Sequence, residues 1–197
     1  MNVRVATYDD LDAVVETLTL AFRTDPVWGP YSFPDPGTQL EKSRRFWRAL
    51  ATIELRFGWT LMTPNCEAVA VWIPPGLPEM TPEEGAAFEE LTVELLGAEQ
   101  SAIVMDAFAA LDAHHPHQPP HYYLSLLATH DDHRGKGIGQ ALLAAGLERI
   151  DAEHGPAYLE STNPGNNHRY ARAGFEPHGR IALPNGHVIT TMWRDAV

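Results

Sequence analysis

Cysteine is almost missing from this sequence: Cys66 stands alone in 197 residues. One thiol cannot build a disulfide framework, so a reducing cytoplasm is the expected setting. Cys66 sits just before an apolar strand and reads as packing, not as a nucleophile. Long apolar runs are missing too. None approaches the roughly 20 residues that a helix needs to cross a bilayer, and no basic start leads an apolar stretch into a cleavage site. Neither a membrane partner nor a secretory signal is expected. Basic residues are scarce, 14 Lys and Arg against 26 Asp and Glu, for a formal charge of −12. A nucleic-acid backbone needs a basic face, so nucleic acid is not an expected partner. An acidic surface suits a cationic small substrate, and it serves solubility equally well.

What is present describes an ordinary globule, with 44% hydrophobic and 20% charged residues. The length suits one α/β domain spanning residues 1–197, with a helical insertion at about 77–120. The pattern opens with a strand at 3–6. A helix follows, capped by Thr7 or Asp9, with Leu11, Val14, Val15, Leu18 and Phe22 on one stripe. A Pro/Gly/aromatic loop then carries Trp28, Tyr31 and Phe33, which could line an acceptor pocket or cap the core. Another helix is expected over 38–57, and strands over 59–62 and 67–73. In the insertion, Thr81 caps a helix that has Pro82 in its first turn, and a further helix covers 102–113. From His121 the order is strand, glycine loop, helix, strand, short helix and a closing hairpin. Gly155-Pro156 should close the long helix.

The most informative stretch is "HRGKGIG", His133 to Gly139, between an apolar strand and an amphipathic helix. Unpaired backbone N–H groups at a helix start, with the helix dipole behind them, make a site for a bulky anion. Gly135, Gly137 and Gly139 let the backbone come close, and Arg134 and Lys136 add charge. A diphosphate fits. Two diphosphate motifs fail here: no Lys-Ser/Thr ending completes a P-loop, and Gln140 stands where a dinucleotide fingerprint needs its third glycine. A third, R/Q-x-x-G-x-G/A, is met by Arg134, Gly137 and Gly139. It is the pyrophosphate loop of the GNAT superfamily of N-acetyltransferases, which the sequence resembles. A second signature of that superfamily follows in "LESTNPGNNHRYARAGF": Asn163, Tyr170 seven residues later, then Gly174-Phe175. "VRVATYDD", "AVAVW", "YLES" and "RYARAGF" further resemble puromycin N-acetyltransferase and its bacterial relatives.

The resemblance implies a mixed, mostly antiparallel α/β (α+β) sheet flanked by helices, with a cleft where two strands splay apart. It implies acetyl-coenzyme A as cosubstrate and a small-molecule amine as acceptor, an antibiotic-like amine among the candidates. Acetylation of a protein N-terminus or lysine, or a non-catalytic acyl-coenzyme A-binding module, are the alternatives. A homodimer is the one macromolecular partnership expected. Backbone groups of Leu127, Ala128 and Thr129 would pair with the pantetheine arm. The loop and helix start, Arg134, Gly135, Lys136, Gly137, Ile138, Gly139 and Gln140, would hold the pyrophosphate. Asn163 would fix the pantetheine, with Asn166 assisting. Tyr170 would protonate the departing thiolate, and Glu160 would take the amine's proton, directly or through water. A structural role for Glu160 is the equal alternative, and His121 and His130 are other candidate bases. The histidine-rich "HHPHQPPH" has no cysteine or carboxylate in metal-ligand spacing, so no metal is expected.

Overall fold

Every residue of "AVAVWI" is buried, and its near-continuous apolar character marks a strand covered on both faces. It is the third strand of a seven-stranded sheet in the computed structural model, which describes residues 2–197. The strands are β1 (Arg4–Val5), β2 (Thr60–Met62), β3 (Ala68–Ile73), β4 (Tyr122–Thr129), β5 (Ala157–Ser161), β6 (Glu176–Ala182) and β7 (Val188–Arg194). Their spatial order is β1-β2-β3-β4-β5-β7-β6, and only the β4–β5 pair is parallel. The helices are α1 (Leu11–Phe22), α2 (Gln39–Glu54), α3 (Pro82–Leu96), α4 (Ala98–His114), α5 (Ile138–Asp151) and α6 (Asn167–Arg172). Among the described residues, no helix is long and apolar enough to cross a membrane.

The sheet separates two apolar layers. On one face, Leu18 of α1, Phe46 and Trp47 of α2 and Phe88 of α3 pack with Val69, Val71 and Leu126. On the other, Leu142, Leu143 and Ile150 of α5 pack with Trp72, Leu124 and Leu159. Local chemistry sets the helix starts. The Thr7 amide donates to the Asp10 carboxylate at 2.9 Å, forming a short 3-10 turn before α1. Thr81 and Glu84 cap α3 reciprocally, each side chain accepting from the other's amide, with Pro82 in the first turn.

Two expectations shift. The helix expected over 102–113 runs Ala98–His114, because Gly97 alone, at φ 79°, separates it from α3. The long helix stops at Asp151, not at Gly155. His154 turns left-handed, and the Gly155 amide folds back onto the Ile150 carbonyl. A Cβ at Gly155 would lie 2.7 Å from the Tyr122 ring, so glycine there answers a close approach. The Arg56 guanidinium pairs with Glu84 and donates to the Glu79 carbonyl at 2.9 Å. That bond ties the loop before α3 to the end of α2, and so positions Glu79.

Candidate active site

Strands β4 and β5 pair only through Tyr122–Ala157, Tyr123–Tyr158 and Leu124–Leu159. Beyond Leu124 they part, β4 staying paired with β3 and β5 with β7. A bulge causes the change of course: Trp72 faces Leu124 and Val71 faces Leu126, so Ser125 is an extra residue in β4. With the alternation shifted, Tyr123, Ser125 and Leu126 all line one cavity. Leu127, Ala128 and Thr129 line another. The two abut where Leu126 meets Leu127 on β4 and where Thr162 meets Asn163 after β5.

The second of these is a groove of about 600 Å³. It gathers Leu127, Ala128, Thr129, Arg134, Gly135, Gly137, Ile138, Gly139, Gln140, Asn163, Asn166 and Tyr170. Helix α5 opens onto it. The Ala141 amide makes the first intrahelical bond, to the Gly137 carbonyl, while the amides of Ile138, Gly139 and Gln140 have no partner within the chain. Gly135 and Gly137 sit at φ 76° and 75°, where a side chain would strain the backbone. Gly139 serves another end: a Cβ there would meet Thr129 Oγ1 at 2.6 Å, so its bareness lets α5 seat against β4.

The expected cationic pair beside this loop is corrected. Lys136 does not line the groove, and its Nζ donates to the Asp132 carbonyl at 3.0 Å. The Arg134 guanidinium donates to the Ala21 carbonyl at 2.6 Å and pairs with Asp131 at 3.0 Å. Arg134 therefore lines the groove with its guanidinium partly engaged, beside the free amides of the helix start. Asn163 Oδ1 accepts from the Gly165 amide at 3.0 Å, which fixes the side chain at the groove wall. Asn166 Oδ1 accepts from Arg169 at 3.0 Å. Tyr170 packs edge-on against Phe175, with ring centroids 6.3 Å apart, and still faces the groove. Burial, with the charge of Asp25 second, pushes its phenol up to about 12.

The other cavity, of about 730 Å³, lies under α3, α4 and their flanking loops. Its ionisable lining is Glu79, Asp112, Glu160, His115, His117 and His121, with neither lysine nor arginine. Trp28, Phe88, Phe108, Met80 and Met105 supply apolar wall. Trp28 is thus where an acceptor-lining aromatic was expected, but Tyr31 and Phe33 are not. Phe33 packs on Phe46 at 5.4 Å, and Tyr31 packs against the same core. Glu160 is buried, its side chain 3% exposed, and its Oε1 has no hydrogen-bond partner. Of the other candidate bases, His121 lines this cavity and His130 lines neither. Of the histidine run, His115 and His121 come together, while His114 turns away to the Ala110 carbonyl at 2.8 Å. Among the described residues, no group of three or more His, Cys, Asp or Glu side chains is placed to hold a metal.

A family model described as an acetyltransferase (GNAT) domain matches residues 93–177, which include the glycine loop, Asn163 and Tyr170. Over these residues the chain is similar to GNAT acetyltransferase domains. A solved Corynebacterium glutamicum protein, described as "histone acetyltransferase HPA2 and related acetyltransferase", is 28% identical, with a TM-score of 0.66. That match covers 100% of this chain and 96% of the other. Arylalkylamine N-acetyltransferase 2 from Aedes aegypti matches at 12% identity and TM-score 0.66, covering 98% of each chain. An agmatine N-acetyltransferase matches at 16% and 0.67, again over 98% of each. At such identities these two show the fold alone. The sheet is the GNAT fold and the protein is an acyltransferase enzyme.

Behind the cavity of about 730 Å³ lies a group that sequence patterns did not single out. Glu54 is wholly buried at the end of α2 and accepts from the Ser125 hydroxyl, which lies 3.5 Å from Glu79. Burial first, and Glu79's charge second, hold the Glu54 carboxyl well above its ordinary range. Burial and the charge of Glu160 raise Glu79 to about 7. The only early signal is positional: Glu54 continues the buried stripe of Trp47, Leu50 and Ala51. Glu79 sits in a Pro-rich loop where no periodicity operates.

This pair gives a stability prediction. A carboxyl whose folded pKa is raised binds more protons folded than unfolded, so stability falls as pH rises above the unfolded value near 4.5. Glu54→Gln keeps an acceptor for Ser125, adds a donor toward Glu79, and removes the buried charge. It is expected to raise Tm at pH 8 by roughly 2–4 °C, about 1 kcal/mol, and to flatten the decline between pH 5 and 8. Thermal unfolding across that range checks it; an equal or steeper decline would contradict a protonated Glu54.

Proposed function

We propose that this acyltransferase moves the acetyl group of acetyl-coenzyme A directly to a primary amine of a small molecule. The supporting observation is the abutment of the two cavities where β4 and β5 part, one presenting unpaired amides and the other acidic groups. The GNAT family normally uses acetyl-coenzyme A. The groove suits it: the amides of 138–140 are placed for a pyrophosphate, and the unpaired β4 edge at Leu127–Thr129 can hydrogen-bond a pantetheine arm. Asn163 can fix that arm near the junction. A β4 amide there can stabilise the oxyanion of the addition step.

Tyr170 lies on the groove side and Glu160 on the acceptor side. Tyr170 gives a proton to the departing thiolate, and the amine's proton leaves toward Glu160, directly or through a relay. Burial raises the phenol, and the same surroundings raise a thiolate formed against it, so the mismatch between the two is smaller than in water. The roof formed by α3, α4 and the Pro-rich loop favours a compact acceptor over a polypeptide. The absence of lysine and arginine from the lining favours a cationic one. The stretches similar to puromycin N-acetyltransferase put antibiotic-like amines first in order of trial.

A coenzyme A-release screen over amine antibiotics, polyamines, amino acids and peptides tests the reading. Turnover is expected with compact amines that carry an apolar body. Turnover with peptides alone, or binding of acetyl-coenzyme A without release by any amine, would overturn it.

A further inference from the structure

His115, at the end of α4, is placed against Glu160 by a chain of bonds that fixes which of its nitrogens carries a proton. His121 Nδ1 lies 2.8 Å from the Pro119 carbonyl. A carbonyl only accepts, so His121 Nδ1 carries the hydrogen. Burial holds His121 below the usual imidazole range, which keeps it neutral and leaves its Nε2 as a lone pair. His115 Nε2 lies 3.0 Å from that Nε2 and must therefore be the donor. A neutral His115 with its hydrogen on Nε2 presents a bare Nδ1. That Nδ1 faces Glu160 Oε1 at 3.6 Å, an oxygen with no other partner.

The Tyr123 and Tyr158 hydroxyls also approach Glu160, whose Oε1 is sealed from the cavity, so a bound group bearing N–H bonds meets this pair at His115 Nδ1. The side chains differ in access: Glu160 is 3% exposed and His115 is 27% exposed, so His115 connects the buried carboxylate to solvent. The other groups around His115 come from several elements. They are Glu79 from the loop before α3, Asp112 from α4, Tyr123 from β4 and Tyr158 from β5. Both tyrosines are held well above the usual phenol range by burial and then by the charge of Glu160, so neither competes as a base. His178 stands beyond, edge-on to Tyr158.

Resting on the amine-acetylation reading, we infer that the acceptor's nitrogen docks against His115 Nδ1, and that His115 is the base that deprotonates it. The amine arrives as an ammonium and gives one proton to His115 Nδ1. The resulting imidazolium is paired with Glu160, keeps its Nε2–H bond to His121, and passes the proton to solvent. The free nitrogen pair then bonds to the thioester carbonyl carbon. As the C–S bond breaks, the sulfur takes a proton from Tyr170, and the new amide nitrogen sheds its second proton to His115. His115 passes this second proton to solvent as well, and Tyr170 regains one from solvent. The sum is ammonium plus thioester to amide, thiol and one released proton. Glu160 is then a positioning and charge-pairing group.

Two measurements test this. Long-range ¹H–¹⁵N spectra of the unliganded protein at pH 8 are expected to show hydrogen on Nδ1 of His121 and on Nε2 of His115. The opposite tautomers would overturn the inference. These spectra need no substrate, so a wrong acceptor class would leave them unchanged. The second compares ethylamine with 2,2,2-trifluoroethylamine, which have similar shapes but very different basicity. The weakly basic amine is delivered already neutral and has less need of a base. His115→Gln should lower kcat/KM at pH 7 by about 10²-fold or more for ethylamine, and by less than tenfold for the fluorinated amine. Its residual activity on ethylamine should keep rising with pH toward the amine's own ionisation, because solvent alone then supplies the neutral amine. An equal loss for both amines with an unchanged pH profile would make His115 structural and end the proposal. Failure of the wild-type protein to acetylate either amine, with the spectra as expected, would instead count against the small-amine reading on which the proposal rests.

Discussion

Tyr170→Phe is expected to lower turnover by about 10²- to 10⁴-fold while acetyl-coenzyme A affinity stays within a few-fold of wild type. The substitution keeps the ring that packs against Phe175 and removes only the hydroxyl. Binding should be spared because the groove's other polar groups, the amides of 138–140 and Asn163, remain in place. The pH profile carries a further expectation. The phenol is raised to about 12, so its ionisation should not limit the wild-type enzyme across the ordinary assay range. A high-pH loss of activity near pH 10 would therefore need another group. Single-turnover measurement at saturating acceptor isolates the chemical step. Near-normal rates in the variant would mean that water protonates the thiolate and that Tyr170 serves as packing.

What the sequence made legible follows from where local chemistry rules. The Thr81–Pro82 cap, the glycine loop and the buried run of β3 each carry their instruction within a few residues, and the structure follows them. The groove gathers Asn163 and Tyr170 with the loop because both follow the next strand, so the superfamily's spacing reads directly as geometry. The acceptor side is different. Glu54, Glu79, Ser125 and His115 come from four separate elements, and they meet only because a single extra residue in β4 redirects the strand. No periodicity announces such a bulge. The bond from Arg134 to the Ala21 carbonyl, 113 residues away in sequence, was equally silent.

The glycine loop provides the second large effect, and the structure separates two glycines that look equivalent in sequence. Gly137→Val is expected to lower acetyl-coenzyme A affinity at least tenfold, about 1.4 kcal/mol, with the protein still folded. Open space surrounds a Cβ at Gly137, so nothing clashes, but φ of 75° is a conformation that a β-branched residue resists. The loop should relax to negative φ and swing the amides of 138–140 out of register. Gly139→Val should act through folding instead, because its Cβ would press on Thr129 Oγ1 at 2.6 Å, between α5 and β4. A lower Tm is expected there before any binding effect is resolved. Thr129→Ala removes that oxygen and leaves the residue's Cβ 4.0 Å away, so Gly139→Ala should be tolerated better in the Thr129→Ala background than alone. Calorimetric titration with acetyl-coenzyme A, alongside thermal unfolding, distinguishes the two positions. Undiminished affinity in folded Gly137→Val would remove the pyrophosphate from this loop. A Gly139→Ala defect unrelieved by Thr129→Ala would show that the helix start itself, not its packing on β4, requires the bare backbone.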